Sequence, residues 1–245
     1  MKKSVLLLFS FVLPMILLNG CASTFLPLLP TPTPEPTAVP QGSNPPIPVL
    51  VPRFYNSEGL QIRVGDYSQQ LSTGDIQELA LLEQEMAQRR ERLTPEQMFV
   101  LAIRLYDLGE KDTSVYWFYE AQFRAKLFLK TLNADHIAGV SEQSAGLLAS
   151  YDAFTELAGE YINGYAGCDV DNWVKIAKLV QDDNPTPPEL DKLFPEAAFV
   201  DRSQWQGVND EVAAGLGGLI DRLSETKEAI REQRAATDQD ARYCK

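Results

Sequence analysis

The stretch TPEQMFVLAIRLYDLGEKDTSVYWFYEAQFRAKL, Thr94 to Leu127, decides the fold. Thr94 stands as an N-cap, Pro95 occupies the first helical position, where its missing N–H costs nothing, and Gln97 is placed to reach back as in a capping box. Met98, Leu101, Leu105 and Leu108 then recur at helical spacing, and Gly109 supplies a left-handed stop. A further helix starts near Asp112 and carries Tyr116, Tyr119, Phe123 and Leu127 three or four residues apart. Only about three residues join the two helices, so they must form an antiparallel hairpin.

Tyr106 and Gly109 at the end of the first helix, with Trp117, Tyr119 and Ala121 on the second, make this pair resemble a tetratricopeptide-type hairpin. The likeness covers about 34 residues and finds no second copy at a fixed period, so it implies one hairpin and not a solenoid. Aromatic residues at helical spacing are core residues more often than binding residues, and Trp117 and Tyr119 are read as packing.

Outward from the hairpin the periodicity stays helical. A helix over about Asp75–Arg92 places Ile76, Leu79, Leu82 and Met86 on one face. After a polar loop through His136 and Gly139, helices are expected over Glu142–Tyr165, Asp171–Val180 and Val208–Asp240, the last of them charged and solvent-facing in its second half. Gln181 to Trp205 holds four prolines, Pro185, Pro187, Pro188 and Pro195, and reads as a protruding irregular excursion with at most one short helix. Leu60–Val64 alternates apolar and polar residues and reads as one short strand or an extended arm. The fold class is therefore all-α: a single helical bundle over residues 53–245 containing the hairpin, with that one short N-terminal strand as the exception.

The first fifty residues have a different character. Lys2 and Lys3 precede an apolar run from Val5 to Leu18, shorter than the roughly 18–20 residues that span a bilayer, which is the layout of a secretory signal. Leu18-Asn19-Gly20-Cys21 resembles the lipobox of bacterial lipoproteins, with Asn19 where a small residue is preferred. The resemblance implies that residues 1–20 are removed and that Cys21 is acylated, palmitate included. Ala22 stands where an inner-membrane lipoprotein commonly carries aspartate, which implies the outer membrane and a protein facing the periplasm. From Thr24 to Pro52 come ten of the sixteen prolines, an extended polyproline tether within segment 21–52 rising about 3.1 Å per residue.

Removing residues 1–20 takes away two of the 22 basic residues and none of the 34 acidic ones, leaving a net charge of −14. Such a chain is a poor match for nucleic acid or for an anionic membrane surface, and suits a basic protein partner or simple solubility. Cys168 and Cys244 form an even pair in an oxidising compartment and are expected to bond, closing a large loop. A single histidine, His136, leaves no metal set and no catalytic metal, and Asp169-Val170-Asp171-Asn172 lacks the later ligands and the glycine of a calcium loop. No nucleophile stands beside a base, so no catalytic residues, no cofactor and no small-molecule substrate are expected.

Binding is what remains. A lipid-anchored periplasmic helical domain of this size is similar to the immunity lipoproteins that neutralise antibacterial effectors of type VI secretion by direct protein–protein contact. The alternative is a helical scaffold lipoprotein for envelope assembly. The candidate partner surface is the proline-rich excursion with Asp182, Asp183, Leu193, Phe194 and Trp205, where rigid loops, carboxylates and aromatic anchors coincide. The other reading of Phe194 and Trp205 is that they tack the loop onto the helices.

Overall fold

The computed structural model describes residues 64–73, 75–133 and 142–245. The expected leader, Cys21, the expected tether, most of the Leu60–Val64 arm and the loop through His136 lie outside the described residues. A 3-10 turn at Gly65–Tyr67 leads into α1 (Ser68–Thr73) and α2 (Ile76–Gln88). After a second such turn at Arg90–Arg92 come α3 (Pro95–Asp107), α4 (Lys111–Thr131), α5 (Glu142–Ala166) and α6 (Val170–Asp182). The chain ends with α7 (Leu190–Leu193), α8 (Trp205–Thr237) and α9 (Gln239–Tyr243). The protein is an all-α bundle, and none of its described helices is long and apolar enough to cross a membrane.

The sequence cues at the hairpin act as read. Thr94 and Gln97 exchange hydrogen bonds, Thr94 N–H to Gln97 Oε1 at 2.9 Å and Gln97 N–H to Thr94 Oγ1 at 3.5 Å. Gly109 takes φ +94°. Its N–H bonds the Tyr106 carbonyl at 3.1 Å while Glu110 N–H bonds that of Leu105 at 2.9 Å, the paired closure that ends a helix on a left-handed residue. A second capping box at α2 joins Asp75 to the backbone of Glu78 and Glu78 to that of Asp75.

The hairpin is enclosed, which single apolar stripes do not convey. Ten of the 13 residues of α3 and 14 of the 21 of α4 are buried. α1 and α2 lie against α3, α5 covers both arms, and α6 and α8 close over α4. Trp117 is fully buried and Tyr119 nearly so, Phe99 stacks on Phe154 of α5 at 4.9 Å, and Phe128 gathers Tyr151, Phe194 and Phe199. On α2, Leu79, Leu82 and Met86 face the core, but Ile76, the first residue of the helix, is 43% exposed.

The segment after α6 does not protrude. Leu132 and Phe199 form an isolated antiparallel bridge, Asn133 N–H bonds the Ala198 carbonyl at 3.0 Å, and Val200 N–H bonds that of Thr131 at 2.9 Å. The end of α4 thus receives a backbone partner, and Leu190 is buried beneath. Prolines shape this path without projecting it, because its apolar residues gain more by covering the core than by facing water. α8 starts at Trp205, three residues before the expected Val208.

Candidate functional site

At the C-terminal end of α6 a cluster of charged side chains is buried within the bundle. Glu120 on α4 is inaccessible to solvent, and Arg124 one turn later is 4% exposed. Arg124 Nε donates to Glu120 Oε1 at 3.0 Å and to Asn184 Oδ1 at 3.0 Å, while Asn184 Nδ2 donates to Glu120 Oε2 at 2.5 Å and to the Val180 carbonyl at 2.8 Å. Asn209 of α8 adds a bond to the Asn184 carbonyl at 3.0 Å. Burial lowers the pKa of Arg124, with Glu120 opposing that shift.

The network continues outward through Arg90, whose Nη1 lies 2.7 Å from Asp183 Oδ2 and 2.8 Å from Tyr116 Oη, and whose Nη2 donates to the Asp183 carbonyl at 2.5 Å. The Tyr116 hydroxyl donates to Asp183 Oδ2 at 2.7 Å. Burial, then the Glu120 charge, drive the Tyr116 phenol well above its ordinary value, so it stays a neutral donor. Two guanidinium groups balance two carboxylates, and both Glu120 oxygens and Asp183 Oδ2 face donors. The arrangement holds no nucleophile beside a base; its effect is to fix the α6 terminus between the turn at Arg90, α4 and α8.

The structure separates the five expected partner-binding residues. Asp182 is exposed, with the 51% exposed Leu179 one turn before it on the same face. Asp183 is engaged by Arg90 and Tyr116. Leu193 is half-buried on α7, Phe194 lies with its ring 4.3 Å from that of Phe128, and Trp205 is 5% exposed with Nε1 donating to the Val200 carbonyl at 3.1 Å. Phe194 and Trp205 therefore pack the segment down, and of the five residues only Asp182 is exposed, next to the exposed Leu179 of α6. Arg90, Glu120, Arg124 and Asn184 were not singled out from sequence. The available cue was an i,i+4 Glu120–Arg124 pair flanked on both sides by aromatic and aliphatic residues.

A second polar assembly lies at the C-terminal corner. Cys168 and Cys244 are joined by a disulfide with a Cα–Cα distance of 5.8 Å. Tyr243 OH donates to Glu160 Oε1 at 2.9 Å, and Lys111 Nζ donates to the Lys245 carbonyl. That ammonium stands 5.3 Å above the Tyr106 ring and 5.0 Å above the Tyr165 ring, and burial lowers its pKa. Among the described residues Cys168, Asp240 and Cys244 converge within 4.8 Å. Both sulfurs are spent on the disulfide and the guanidinium of Arg234 lies against them, so this is no cation site.

No family model and no solved structure matches the chain. An uncharacterized protein of Haemophilus influenzae is 32% identical over 80 residues, 33% of this chain. The chain spans 28% of the length of that relative, so the likeness is to a segment of it.

Proposed function

We propose that the chain is a lipid-anchored envelope protein that acts by binding another protein, and that the partner is a secreted antibacterial effector which it neutralises. The observation that carries this reading is Leu18-Asn19-Gly20-Cys21 followed at once by a proline tether and then by an acidic helical domain. A lipid at Cys21 with further acylation holds such a domain at a membrane, and the tether gives it reach. The buried charge network supports the binding part. It immobilises the α6 terminus, so Asp182 and Leu179 are presented with little conformational entropy left to lose. An acidic group beside an exposed leucine suits a basic, partly apolar partner, in keeping with the net charge of −14 that remains once the two leader lysines are removed from a total of −12.

The experiment has two arms. Cys21→Ser is expected to abolish palmitate labelling and release the protein from membranes; a variant that stays labelled and bound refutes the anchor. Co-expression with the product of a toxin gene lying beside this one is expected to rescue growth, and Leu179→Glu with Asp182→Lys to weaken the complex about tenfold or more. Growth arrest that the protein leaves unchanged refutes neutralisation. The tetratricopeptide-like hairpin favours a scaffold role in envelope assembly as the second reading, for which loss of the protein would disturb the envelope without any toxin present.

A further inference from the structure

Cys168 and Cys244 are both exposed, but the cation that touches them is not. Arg234, on the last turn of α8, is 6% exposed, with Nη2 at 3.2 Å from Cys168 Sγ and 3.3 Å from Cys244 Sγ. Its Nε donates to Asp240 Oδ1 at 2.7 Å. Gly167 leaves the space for it, since a Cβ there would lie 2.7 Å from Arg234 Nη1. A disulfide sulfur is an uncharged, weak acceptor, and placing a buried guanidinium against two of them returns little for the desolvation it costs. A thiolate in the same place would receive a charge-assisted hydrogen bond, and a neighbouring arginine is one of the devices that lower a thiol's pKa.

We propose that Cys168–Cys244 is a reversible dithiol/disulfide centre that exchanges with a protein dithiol, with Arg234 positioned to hold Cys168 as its thiolate. The charges around the two sulfurs are unequal. The Asp240 carboxylate comes within 4.8 Å of both sulfurs, but its contact is with Cys244 Sγ, 3.5 Å from Oδ1, so it disfavours a thiolate chiefly at Cys244. On the Cys168 side, across a cleft of about 170 Å³, the acidic groups are Asp169 and Asp112. The Asp169 carboxylate is engaged by Asn172 N–H at 3.1 Å, and that of Asp112 by the Tyr165 hydroxyl at 3.1 Å and by Asn172 Nδ2 at 3.0 Å. Cys168 also directly precedes the N-cap of α6, at the positive end of its dipole. Cys168 is therefore the better leaving group.

Exchange then enters through Cys244. A thiolate of the partner dithiol attacks Cys244 Sγ, the sulfur–sulfur bond breaks, and its electron pair goes to Cys168 beside Arg234. The partner's second thiol loses its proton and attacks its own sulfur in the mixed disulfide, expelling Cys244, which takes up a proton. Two electrons pass to this chain, the partner becomes a disulfide, Cys168 remains a thiolate, and the one proton that the partner's second thiol loses is matched by the one that Cys244 gains. The tail is held independently of the bond by Tyr243 on Glu160 and by Lys111 on the Lys245 carbonyl, so the reduced sulfurs stay neighbours and can close again.

The test uses the full-length protein, reduced with dithiothreitol and freed of it, then pulsed with iodoacetamide from pH 5 to 10 and resolved by peptide mass spectrometry, which reads Cys21 separately. Cys168 is expected to alkylate with a midpoint at least one pH unit below the ordinary thiol value of about 8.5, and Cys244 with one at or above it. Arg234→Gln should return the Cys168 midpoint to the ordinary value while Arg234→Lys retains part of the shift. Asp240→Asn should lower the Cys244 midpoint, and is informative even where Arg234→Gln fails to fold. Acid-quenched substoichiometric dithiothreitol should leave its adduct on Cys244. A Cys168 midpoint at or above the ordinary value, a midpoint unmoved in a folded Arg234→Gln chain, an unmoved Cys244 midpoint in Asp240→Asn, or an adduct on Cys168 overturns the proposal and leaves the bond a structural cross-link.

Discussion

The ring of Tyr243 occupies the space that a side chain on Gly164 would need: a Cβ at Gly164 would lie 2.7 Å from both Cγ and Cδ1 of that ring. The contact is with the base of the ring, so no simple side-chain rotation relieves it. α9 sits on α5 because position 164 has no side chain.

Gly164→Ala is therefore expected to lift α9. Overpacking of this kind costs about 1–3 kcal/mol, partly offset by the better helix propensity of alanine. Gly215→Ala is the matched control, since nothing lies within 4 Å of its Cβ position; it should stabilise by up to about 1 kcal/mol. Urea midpoints separate the two, and amide exchange over residues 239–245 should speed up only in the first.

Breaking the buried pair should cost far more than breaking a surface one. Glu120→Ala leaves Arg124 buried with its carboxylate gone, and such losses run to about 3–5 kcal/mol. Asp191→Ala, which removes the exposed partner of Arg202, is expected to leave the unfolding midpoint close to that of wild type. Denaturant unfolding of both variants decides, and a Glu120→Ala chain as stable as Asp191→Ala would show that the network contributes nothing.

Glu96 gives a pH dependence of definite sign. It is 3% exposed in the first turn of α3, and burial raises its pKa despite a hydrogen bond from the Tyr151 hydroxyl at 3.1 Å. A carboxyl whose folded value exceeds its unfolded one favours folding most below the unfolded value, and that contribution is lost as pH rises through the folded value. Glu96→Gln should then gain stability relative to wild type at neutral pH and match it near pH 4, as read by urea titrations at the two values. A variant less stable at both would mean that the ionised carboxylate is favoured in the fold.

Replacing Cys168 and Cys244 with serine opens a loop of sequence separation 76. The chain-entropy account puts the loss at about 4 kcal/mol. Thermal unfolding of the double variant against the oxidised wild type measures it, and equal midpoints would show that the tail's other contacts suffice.

The hairpin could be read from sequence because its cues are local: a cap, a proline, a glycine stop and a short connection all sit within Thr94–Lys111. The pairing of Cys168 with Cys244 followed from there being only two candidates besides Cys21. The enclosure of α3 and α4 was not legible, since which helices cover a second face depends on packing between distant segments. The same holds for the excursion, whose prolines look like loop chemistry while Leu190, Phe194 and Trp205 decide where it lies. Arg90 joins Asp183 across 93 residues, and no spacing rule announces a partner that far away.

The burial of α3 and α4 on nearly every side has a consequence for how this chain can diverge. A substitution in either arm meets neighbours in several directions, so few alternatives fit and compensating changes would have to arise in two or three helices together. The outer faces of α6 and of the second half of α8 carry no such restriction. Saturation mutagenesis should therefore divide the domain into an intolerant hairpin and a permissive shell. A lineage under pressure to recognise a changing partner could rewrite that shell repeatedly on an unchanged frame.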